Sequence, residues 1–350
     1  MNILVTGGAG FIGANFIKYM LNNYKYTIVN FDALTYAGQL SNLREEENND
    51  RYHFVKGDIC NRNLLDEIFT QYSIDVVVNF AAESHVDRSI ENPEIFLKTN
   101  VIGTQTLLDV AKDYWKVDHS KPGREFKQGV KFIQISTDEV YGSLGKEGYF
   151  TEKTNLAPNS PYSASKAAGD MIARAYYETY RLPINITRCS NNYGPYQFPE
   201  KLIPLMIHNG LMGKNLPLYG DGKQIRDWLH VFDHCRAIDA VLHRGKAGEV
   251  YNIGGNNEKE NIEIARMILR LLGKRESLIE YVTDRLGHDR RYAIDSSKIT
   301  NELGWTPLYA FEDGMTETIK WYIENNPPAQ NLYLNLNEGG LCNGIPLSRE

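Results

Sequence analysis

The sequence feature that most constrains the fold is a short apolar run near the N-terminus that leads directly into a cluster of glycines. Residues 3–5 are Ile, Leu and Val, and they predict a β-strand. Gly8, Gly10 and Gly13 then fit the pattern GxGxxG before an amphipathic run begins. With Gly7 in place of Gly8, the wider pattern GxxGxxG also fits. Such glycines let the backbone approach a pyrophosphate at the N-terminus of the following helix. The segment therefore predicts a dinucleotide-binding unit, with a simple tight turn as the alternative.

Three further apolar runs, at residues 26–31, 52–55 and 76–80, also predict strands. The first ends in Asp32, about 20 residues beyond the last glycine, where a carboxylate holds the ribose of NAD and repels the 2′-phosphate of NADP. The second is followed by Asp58, which we expect near an adenine. Because strands and helices alternate, we predict an α/β fold, a Rossmann-type doubly wound parallel sheet with a smaller, mixed α/β C-terminal substrate lobe.

The apolar run at residues 132–135 ends in side chains that can do chemistry. Thr137, Asp138 and Glu139 follow it directly. Because open α/β sheets bind ligands at the carboxyl ends of their strands, we expect these side chains at the mouth of a site. Asp and Thr are also common at the start of an ordinary loop, which is the alternative interpretation.

Tyr162 and Lys166 lie four residues apart on a predicted helix that begins near Ser160, so their side chains share one face. A free phenol has a pKa of about 10. A nearby ammonium group and an oxidised nicotinamide would lower that pKa and make Tyr162 a base at neutral pH. The YxxxK spacing also occurs by chance on many helices, so it counts only together with the other motifs.

Composition and charge argue against several other classes of function. The 350 residues include 38 basic and 44 acidic side chains, and the net charge of -6 provides no basic surface for nucleic acid. The N-terminal segment lacks the pattern of a signal peptide, and no apolar run reaches the ~18 residues of a membrane span. The four cysteines have no CxxC spacing, which argues against a metal site or a disulfide framework. We expect a soluble cytoplasmic protein without a nucleic-acid or membrane partner.

In this order, the glycine turn, Asp32, Thr137 and the YxxxK helix resemble the extended short-chain dehydrogenase/reductase superfamily, whose members mostly act on nucleotide sugars. Asp138 and Glu139 narrow the resemblance to the dTDP-glucose 4,6-dehydratase family. The related 4-epimerases typically have small or apolar residues at these positions, and GDP-mannose 4,6-dehydratases typically have Ser at the first. The resemblance covers about residues 1–325. Further matching motifs lie at residues 32–38, 81–89, 188–195, 199–204, 226–228 and 287–292.

The resemblance implies conversion of dTDP-glucose into dTDP-4-keto-6-deoxyglucose and water, with NAD regenerated in each cycle. Tyr162, supported by Lys166, would take the proton from O4 of the glucose, and Thr137 would bind that oxygen. Glu139 would then take the C5 proton while Asp138 protonates the departing C6 hydroxyl. The residues expected to contact NAD are Gly7, Gly10, Phe11, Ile12, Gly13, Asp32, Leu34, Thr35, Asp58, Ile59, Ala81, Ala82, Ser84, Thr99, Tyr162, Lys166 and Asn192.

The second half of the chain is expected to hold the sugar nucleotide. Lys201 and Arg226 lie beside loops that can meet a diphosphate, and the alternative for both is a solvated surface charge. Asn261 precedes a helical run that Gly273 ends, so it is at least an N-cap, and the family also has a nucleotide contact there. The residues expected to contact the substrate are Ser84, Thr137, Asn191, Lys201, Leu202, Pro217, Tyr219, Arg226, Asn261, His288, Asp289, Arg290 and Tyr292.

The motifs also suggest how the chain is divided. We expect an NAD-binding domain at residues 1–188 with a later return near 228–255, and a mainly sugar-nucleotide-binding lobe at 189–326. Residues 327–350 form a tail of unknown role. The stretch at 117–129 is longer than the family's usual connection and has the polar composition of a surface loop.

Three alternatives stay open at this point. The first is a related dehydratase that uses a UDP-sugar, and the second is a nucleotide-sugar 4-epimerase. Asp138 argues against the epimerase, because epimerisation has no leaving group to protonate. The third is a non-catalytic NAD-binding protein that kept the fold. We also expect a homodimer, because the helices after Pro93 and Tyr162 carry more apolar side chains than one sheet face needs, although such side chains also occur on monomers.

Overall fold

The computed structural model describes residues 1–118 and 125–325. The tail at 327–350 and the middle of the 117–129 stretch, about which the sequence made predictions, lie outside the described residues. At the two ends of that stretch, Lys116 and Phe126 form an antiparallel bridge.

The structure alternates strands and helices over most of the described chain. The strands are β1 (Asn2–Thr6), β2 (Thr27–Asp32), β3 (Tyr52–Lys56), β4 (Val76–Asn79), β5 (Lys131–Thr137), β6 (Ile184–Cys189), β7 (Asn191–Tyr193), β8 (Leu216–Tyr219), β9 (Ile225–His230), β10 (Val250–Ile253), β11 (Glu258–Glu260) and β12 (Ile279–Val282). The α-helices are α1 (Phe11–Asn23), α2 (Arg62–Tyr72), α3 (Val86–Glu91), α4 (Pro93–Leu97), α5 (Thr104–Trp115), α6 (Pro161–Tyr180), α7 (Leu202–Leu211), α8 (Val231–Arg244), α9 (Asn261–Leu271), α10 (Ser297–Leu303) and α11 (Phe311–Asn325). Short 3-10 helices cover Leu40–Glu46, Asp138–Tyr141 and Glu276–Leu278.

A parallel sheet organises the first part of the structure. In the described residues it has seven strands in the order β10-β6-β5-β4-β1-β2-β3. Successive residues of β1 face opposite sides: Ile3 and Val5 pack with α1 and α8, whereas Leu4 packs with α2 and α5. Because helices cover both faces, the inner strands are buried along nearly their whole length rather than at alternate residues, and polar side chains such as Asn30 and Gln134 are buried with them. The predicted doubly wound parallel sheet is confirmed.

The second part of the structure packs around two small sheets. Strand β9 pairs with β11 in antiparallel and with β7 in parallel orientation, and β8 pairs with β12 in parallel orientation. Helices α7, α9 and α11 enclose a core that includes Ile207, Ile268 and Met315. This is the predicted smaller, mixed α/β lobe. Among the described residues, no helix is both long and apolar enough to cross a membrane.

Two local predictions differ from the structure. The helix predicted from Pro93 to Trp115 contains a π-helical turn at Lys98–Gly103, between α4 and α5. This turn carries Asn100, whose side-chain amide bonds to the backbone N–H of Glu83 at 2.9 Å and to its carbonyl at 3.0 Å. A contact with a distant loop therefore accompanies the change in helical pitch, as is common for π-turns near functional sites.

The N-cap of α9 is Glu260 rather than the predicted Asn261, because Asn261 is already helical. The carboxylate of Glu263 accepts a hydrogen bond of 2.7 Å from the backbone N–H of Glu260. The backbone N–H of Asn261 donates to the carbonyl of Gln224 at 3.0 Å. The side chain of Asn261 is thereby free to serve the neighbouring cavity instead of the helix end.

Candidate active site

A long cleft lies at the carboxyl ends of β1, β2, β4 and β5, where α1 begins. At Gly7, which has a φ of 67°, a Cβ atom would lie 2.7 Å from the backbone nitrogen of Ala81. At Gly13 a Cβ atom would lie 2.5 Å from the carbonyl oxygen of Gly7, so neither position admits a side chain. Helix α1 has no side-chain cap and no acidic residue in its first turn. Its first N–H groups are therefore available to an anion.

The cleft brings together nearly all residues that were predicted to contact the cofactor. Leu34 is not on the cleft wall; its backbone N–H donates to Asp32 Oδ1 at 2.7 Å and so orients that carboxylate. The predicted residues on the wall are Gly7, Gly10, Phe11, Ile12, Gly13, Asp32, Thr35, Asp58, Ile59, Ala81, Ala82, Ser84, Thr99, Tyr162, Lys166 and Asn192.

Asp32 has the environment that a ribose-binding carboxylate needs. Besides the bond from Leu34, its Oδ2 accepts a hydrogen bond of 2.9 Å from the backbone N–H of Ala9. Burial raises the pKa of Asp32, and the two backbone N–H groups oppose that rise by stabilising the charged form. With the uncapped start of α1 nearby, the cleft fits NAD: a helix N-terminus for the pyrophosphate and a carboxylate for the ribose.

The three polar residues after β5 meet the helix that carries Tyr162. Thr137 Oγ1 accepts a hydrogen bond from the backbone N–H of Glu139 at 3.3 Å and lies 3.3 Å from Asp138 Oδ1. Helix α6 begins at Pro161 with a capping box, in which Ser160 and Ser163 satisfy each other's backbone N–H groups. This cap fixes the start of the helix and brings the Tyr162 hydroxyl to Thr137.

The two adjacent carboxyl groups lie in different environments. Asp138 is 1% exposed, and its Oδ2 has no hydrogen-bond partner among the described residues. Burial, followed by the charges of Glu139 and Asp227, raises the pKa of Asp138 well above its usual range. Burial also raises the pKa of Glu139, but the positive charges of Arg285, Arg226 and Lys201 oppose that rise. These surroundings therefore favour the protonated form more strongly at Asp138 than at Glu139.

Tyr162 and Lys166 are both buried in the cleft. Burial and the charge of Glu139 raise the pKa of Tyr162 well above its usual range. Lys166 Nζ donates to the carbonyl of Ile135 at 2.7 Å, and burial lowers the pKa of Lys166. Burial by itself thus works against the phenolate. The predicted lowering of the Tyr162 pKa depends on the Lys166 ammonium together with an oxidised nicotinamide.

A second cavity adjoins the cleft and shares Glu139, Glu200 and predicted substrate contacts with it. The shared wall means that a ligand in the second cavity reaches the catalytic residues at the cofactor cleft. Thr137 lines the cofactor cleft only. The predicted substrate contacts that line the second cavity are Ser84, Asn191, Lys201, Leu202, Pro217, Tyr219, Arg226, Asn261, His288 and Tyr292.

Besides Thr137, two further predicted substrate contacts, Asp289 and Arg290, are absent from the described lining of this cavity. The carboxylate of Asp289 accepts a hydrogen bond of 2.5 Å from the Tyr292 hydroxyl, and the carbonyl of Asp289 accepts one of 3.0 Å from Arg226. Asp289 therefore holds two cavity-lining side chains, Tyr292 and Arg226, by hydrogen bonds. Arg290 is turned away, because its guanidinium forms an ion pair of 2.8 Å with Asp221 at the half-exposed surface.

Sequence reasoning missed Arg285, which the structure brings to the cavity. Arg285 lines the wall, and its Nε has no hydrogen-bond partner among the described residues. Its charge also opposes the rise in the pKa of Glu139. The Arg285 guanidinium, whose Nη1 lies 3.7 Å from Asp87 Oδ1, brings a positive charge to the cavity wall, which suits an anionic ligand. The sequence feature that could have identified Arg285 was its position two residues before the motif at 287–292.

The parallel sheet, the glycine turn after β1 and the tyrosine and lysine four residues apart on α6 together define the class of extended short-chain dehydrogenases/reductases. A family model described as GDP-mannose 4,6 dehydratase matches residues 4–318.

Individual relatives are more specific. The dTDP-glucose 4,6-dehydratase of Xanthomonas campestris pv. campestris (strain B100) is 56% identical over 331 residues, which cover 92% of this chain and 93% of that protein. The crystal structure of dTDP-glucose 4,6-dehydratase from Bacillus anthracis in complex with NAD has 58% identity and a TM-score of 0.85, covering 95% and 99% of the two chains. The Streptomyces venezuelae dTDP-glucose 4,6-dehydratase DesIV, with NAD bound, has 48% identity and a TM-score of 0.87, covering 95% and 100%. The chain belongs to the family of nucleotide-sugar 4,6-dehydratases, within which these relatives are dTDP-glucose 4,6-dehydratases.

Proposed function

We propose that this protein is an NAD-dependent dTDP-glucose 4,6-dehydratase, which converts dTDP-glucose into dTDP-4-keto-6-deoxyglucose and water. The observation that carries the proposal is the pair of adjacent carboxyl groups after β5: Asp138 is buried with an oxygen unpartnered among the described residues, and Glu139 shares a cavity wall with three cationic side chains. An elimination of water needs an acid and a base at the same time. The names of the relatives, at 48–58% identity, support the same reaction.

Oxidation at C4 of the glucose is the first step. Tyr162 takes the proton from O4, Thr137 donates a hydrogen bond to that oxygen, and Lys166 stabilises the phenolate. Bound NAD supplies the redox chemistry, because it accepts hydride from C4 and gives it back at C6, so that no net oxidant is consumed. The resulting 4-keto group acidifies the C5 hydrogen and prepares the elimination.

Elimination and completion involve the two carboxyl groups. Glu139 takes the C5 proton, and Asp138 gives its proton to the C6 hydroxyl, which leaves as water. Glu139 returns the proton to C5 as hydride arrives at C6, and the proton that Tyr162 took from O4 makes up for the one that Asp138 gave to the leaving water, so the overall change is the loss of one water. General acid or base catalysis by each group contributes roughly 10²–10⁴ in rate.

The second cavity is the proposed sugar-nucleotide site. Arg226, Arg285 and Lys201 supply positive charge for the diphosphate, and each is at least partly buried, where charge attracts strongly. The helix start at Asn261 and the β8 residue Tyr219 are proposed nucleoside contacts. In this scheme residues 1–188 with 228–255 bind the cofactor and 189–326 mainly bind the sugar nucleotide.

The direct test is incubation of the purified protein with dTDP-glucose and no added cofactor, followed by mass spectrometry. Loss of the mass of one water would establish the dehydratase and show that NAD is retained and recycled. An unchanged mass with the sugar converted to its C4 epimer would identify an epimerase. No reaction, even with NAD and UDP-sugars supplied, would support a non-catalytic NAD-binding protein.

The choice between dTDP- and UDP-sugars needs its own measurement. The two bases differ by one methyl group, and such a contact is worth only ~1 kcal/mol in a pocket. Competition binding with dTDP and UDP at equal concentrations compares the two directly. Tighter binding of UDP would move the proposal to a UDP-sugar dehydratase.

The proposed assembly is a homodimer. Helices α3, α4 and α6 and the π-turn expose apolar side chains, and α3, α4 and the π-turn all pack against α6. Clustered exposed apolar side chains are typical of an interface between subunits. The exposed apolar side chains of these helices and of the π-turn are Ile90, Ile95, Leu97, Ile102, Met171 and Tyr180.

A cytoplasmic location stays a prediction of the sequence.

A further inference from the structure

Three side chains from separate segments meet at the cofactor cleft. Tyr36 lies in the loop after β2, Arg88 lies on α3, and Phe198 lies in the loop between β7 and α7. The guanidinium carbon of Arg88 is 3.8 Å from the centre of the Tyr36 ring. The ring of Phe198 packs edge-on against the same ring, with a centroid distance of 5.9 Å and an interplanar angle of 81°. We call this three-residue contact the cleft bridge.

The segments that the cleft bridge joins are walls of the cofactor cleft. Thr35 and Ala37, on either side of Tyr36, line the cleft, as do Ser84 in the loop before α3 and Phe198 itself. The cleft bridge therefore joins three segments that all contribute to the lining of the cleft.

Further contacts tie two of the segments together beside the cleft bridge. Lys201 Nζ donates to the carbonyl of Ser84 at 2.8 Å. His85 Nε2 lies 3.8 Å from a carboxylate oxygen of Glu200. The Tyr36 hydroxyl is also within hydrogen-bonding reach of Glu200 and Ser84. Polar contacts thus hold the loop that carries Phe198 to the loop before α3, and an aromatic contact holds it to Tyr36.

The N-terminal part of the loop that carries Phe198 is bound to α1, the helix whose N-terminus belongs to the cofactor cleft. Asn15 Nδ2, on α1, donates to the carbonyl of Pro195 at 3.0 Å. Lys18 Nζ, also on α1, donates to the Tyr196 hydroxyl at 2.6 Å. Tyr196 has a φ of 69°, a conformation that non-glycine residues hold only when the surroundings fix it. The loop is therefore held at this end independently of the cleft bridge.

We propose that the cleft bridge of Tyr36, Arg88 and Phe198 keeps the cofactor cleft closed and retains NAD through the catalytic cycle. The inference rests on the proposed function, in which the cofactor is regenerated at the site and has no need to leave. The sugar nucleotide does have to exchange. The described lining of the second cavity does not include the three residues, so that exchange leaves the cleft bridge intact.

The rate constants for NAD binding and release test the proposal. A closed cleft slows both entry and exit, so opening it should raise both rate constants, whereas loss of a direct contact with NAD should raise only the release rate. Protein loaded with labelled NAD is chased with excess unlabelled NAD to measure release, and stopped-flow mixing of NAD with cofactor-free protein measures binding. Tyr36→Ala and Phe198→Ala should each raise both rate constants by about tenfold.

Three further variants sharpen the comparison. Tyr36→Phe keeps the ring but loses the contacts of the hydroxyl with Glu200 and Ser84, so its rate constants should rise less than those of Tyr36→Ala. Arg181→Ala removes a cation–ring pair at the end of α6, outside the cleft, where the guanidinium carbon lies 5.2 Å from the Tyr177 ring, and its rate constants should stay within about twofold of the wild type. Arg88→Ala, at an exposed position, gives a third test of the cleft bridge in case an aromatic variant folds poorly. Thermal midpoints at saturating NAD check the folding of each variant.

The proposed role of the cleft bridge would be refuted if Tyr36→Ala and Arg88→Ala released NAD at the wild-type rate. It would also be refuted if they released NAD faster but bound it at an unchanged rate. Neither result would count against the proposed dehydratase function. Failure of the wild-type protein to bind NAD would instead overturn the proposed function, and this inference with it.

Discussion

Two neighbouring side chains after β5 differ more in their surroundings than in their chemistry. Asp138 is packed away from solvent with one oxygen unpartnered among the described residues, whereas Glu139 lies on the wall shared by the two cavities. The cations around Glu139 favour its charged form, and burial favours the protonated form of Asp138. The opposite protonation states that an elimination requires therefore follow from position rather than from residue type.

Replacing Glu139 with Gln should remove the base while keeping the shape of the site. We expect dTDP-glucose to bind with similar affinity and turnover to fall by roughly 10²–10⁴. Calorimetric titration measures the binding, and product formation by mass spectrometry measures the turnover. Glu147→Gln, at an exposed position, is the control and should retain full activity. Wild-type turnover in Glu139→Gln would refute the role of this residue.

Asp138→Asn should impair the loss of water more than the oxidation at C4. Asparagine keeps the size of the side chain but cannot give a proton to the C6 hydroxyl. Rapid-quench experiments should then show a 4-keto-glucose intermediate that the wild-type protein does not accumulate. Elimination at the wild-type rate would contradict the assignment of Asp138 as the acid.

Asp138→Asn should also be more stable to unfolding than the wild type at neutral and alkaline pH. The pKa of Asp138 is raised in the folded state, so the folded protein binds a proton that the unfolded chain releases above its pKa of about 3.9. Stability is therefore lost as pH rises from that value through the folded pKa, at ~1.4 kcal/mol for each pKa unit of difference. The asparagine side chain of the variant does not titrate, so it escapes this loss. Urea unfolding at pH 5 and pH 8 should show a larger gain at pH 8, and an equal gain would argue against the raised pKa.

At the scale of elements, α6 carries both Tyr162 and Lys166, and a buried ion pair fixes its position on the sheet. Arg188 Nε, on β6, donates to Asp170 Oδ2, one turn beyond Lys166, at 2.9 Å. The two side chains are 7% and 1% exposed. Arg188 also donates to the Tyr141 hydroxyl at 2.9 Å, which links the pair to the 3-10 helix after β5. The helix and the strand end therefore share one polar anchor.

Asp170→Asn should destabilise the protein by about 3–5 kcal/mol, because it leaves the Arg188 guanidinium buried without a charged partner. Urea unfolding measures this loss. Glu178→Gln on the same helix is the matched control, since Glu178 forms exposed ion pairs with Arg174 and Arg181. Such pairs contribute only ~0.2–1 kcal/mol. Similar losses in the two variants would mean that the buried pair does not hold α6.

At the scale of the whole molecule, the apolar residues exposed on α3 to α6 are the basis for the proposed dimer. Met171 is 55% exposed and Ile102, in the π-turn, is 53% exposed. These helices also carry catalytic and cleft residues, so association would cover the outside of the elements that build the active site. Burial of apolar surface contributes about 25 cal/mol per Å².

Met171→Lys should shift the protein from dimer to monomer, because a lysine ammonium would have to be desolvated in the interface. Sedimentation equilibrium at micromolar concentration should show twice the chain mass for the wild type and the single-chain mass for the variant. Leu308→Lys, at a residue that is 69% exposed away from these helices, should stay dimeric. A monomeric wild-type protein would end the dimer proposal.

The local sequence was sufficient to predict what depends on near neighbours. Apolar runs, the glycine turn and the spacing of Tyr162 and Lys166 predicted the parallel sheet, because strand and helix periodicity is set within a few residues. Most residues of the cleft were implied by the resemblance to the dehydratase family. The short range of such patterns also explains the shifted cap at Asn261 and the missed π-turn at Lys98–Gly103. Both depend on contacts made with residues far along the chain.

Only the tertiary structure decided which distant residues meet. It brings Arg285 to Glu139, turns Arg290 away to Asp221, and joins the segments of the cleft bridge. It also makes the pKa of Asp138 differ from that of its neighbour, because burial and nearby charges come from other strands and loops. Chain order fixes which residues are available. Their electrostatic environment depends on the path of the whole backbone, which no local pattern contains.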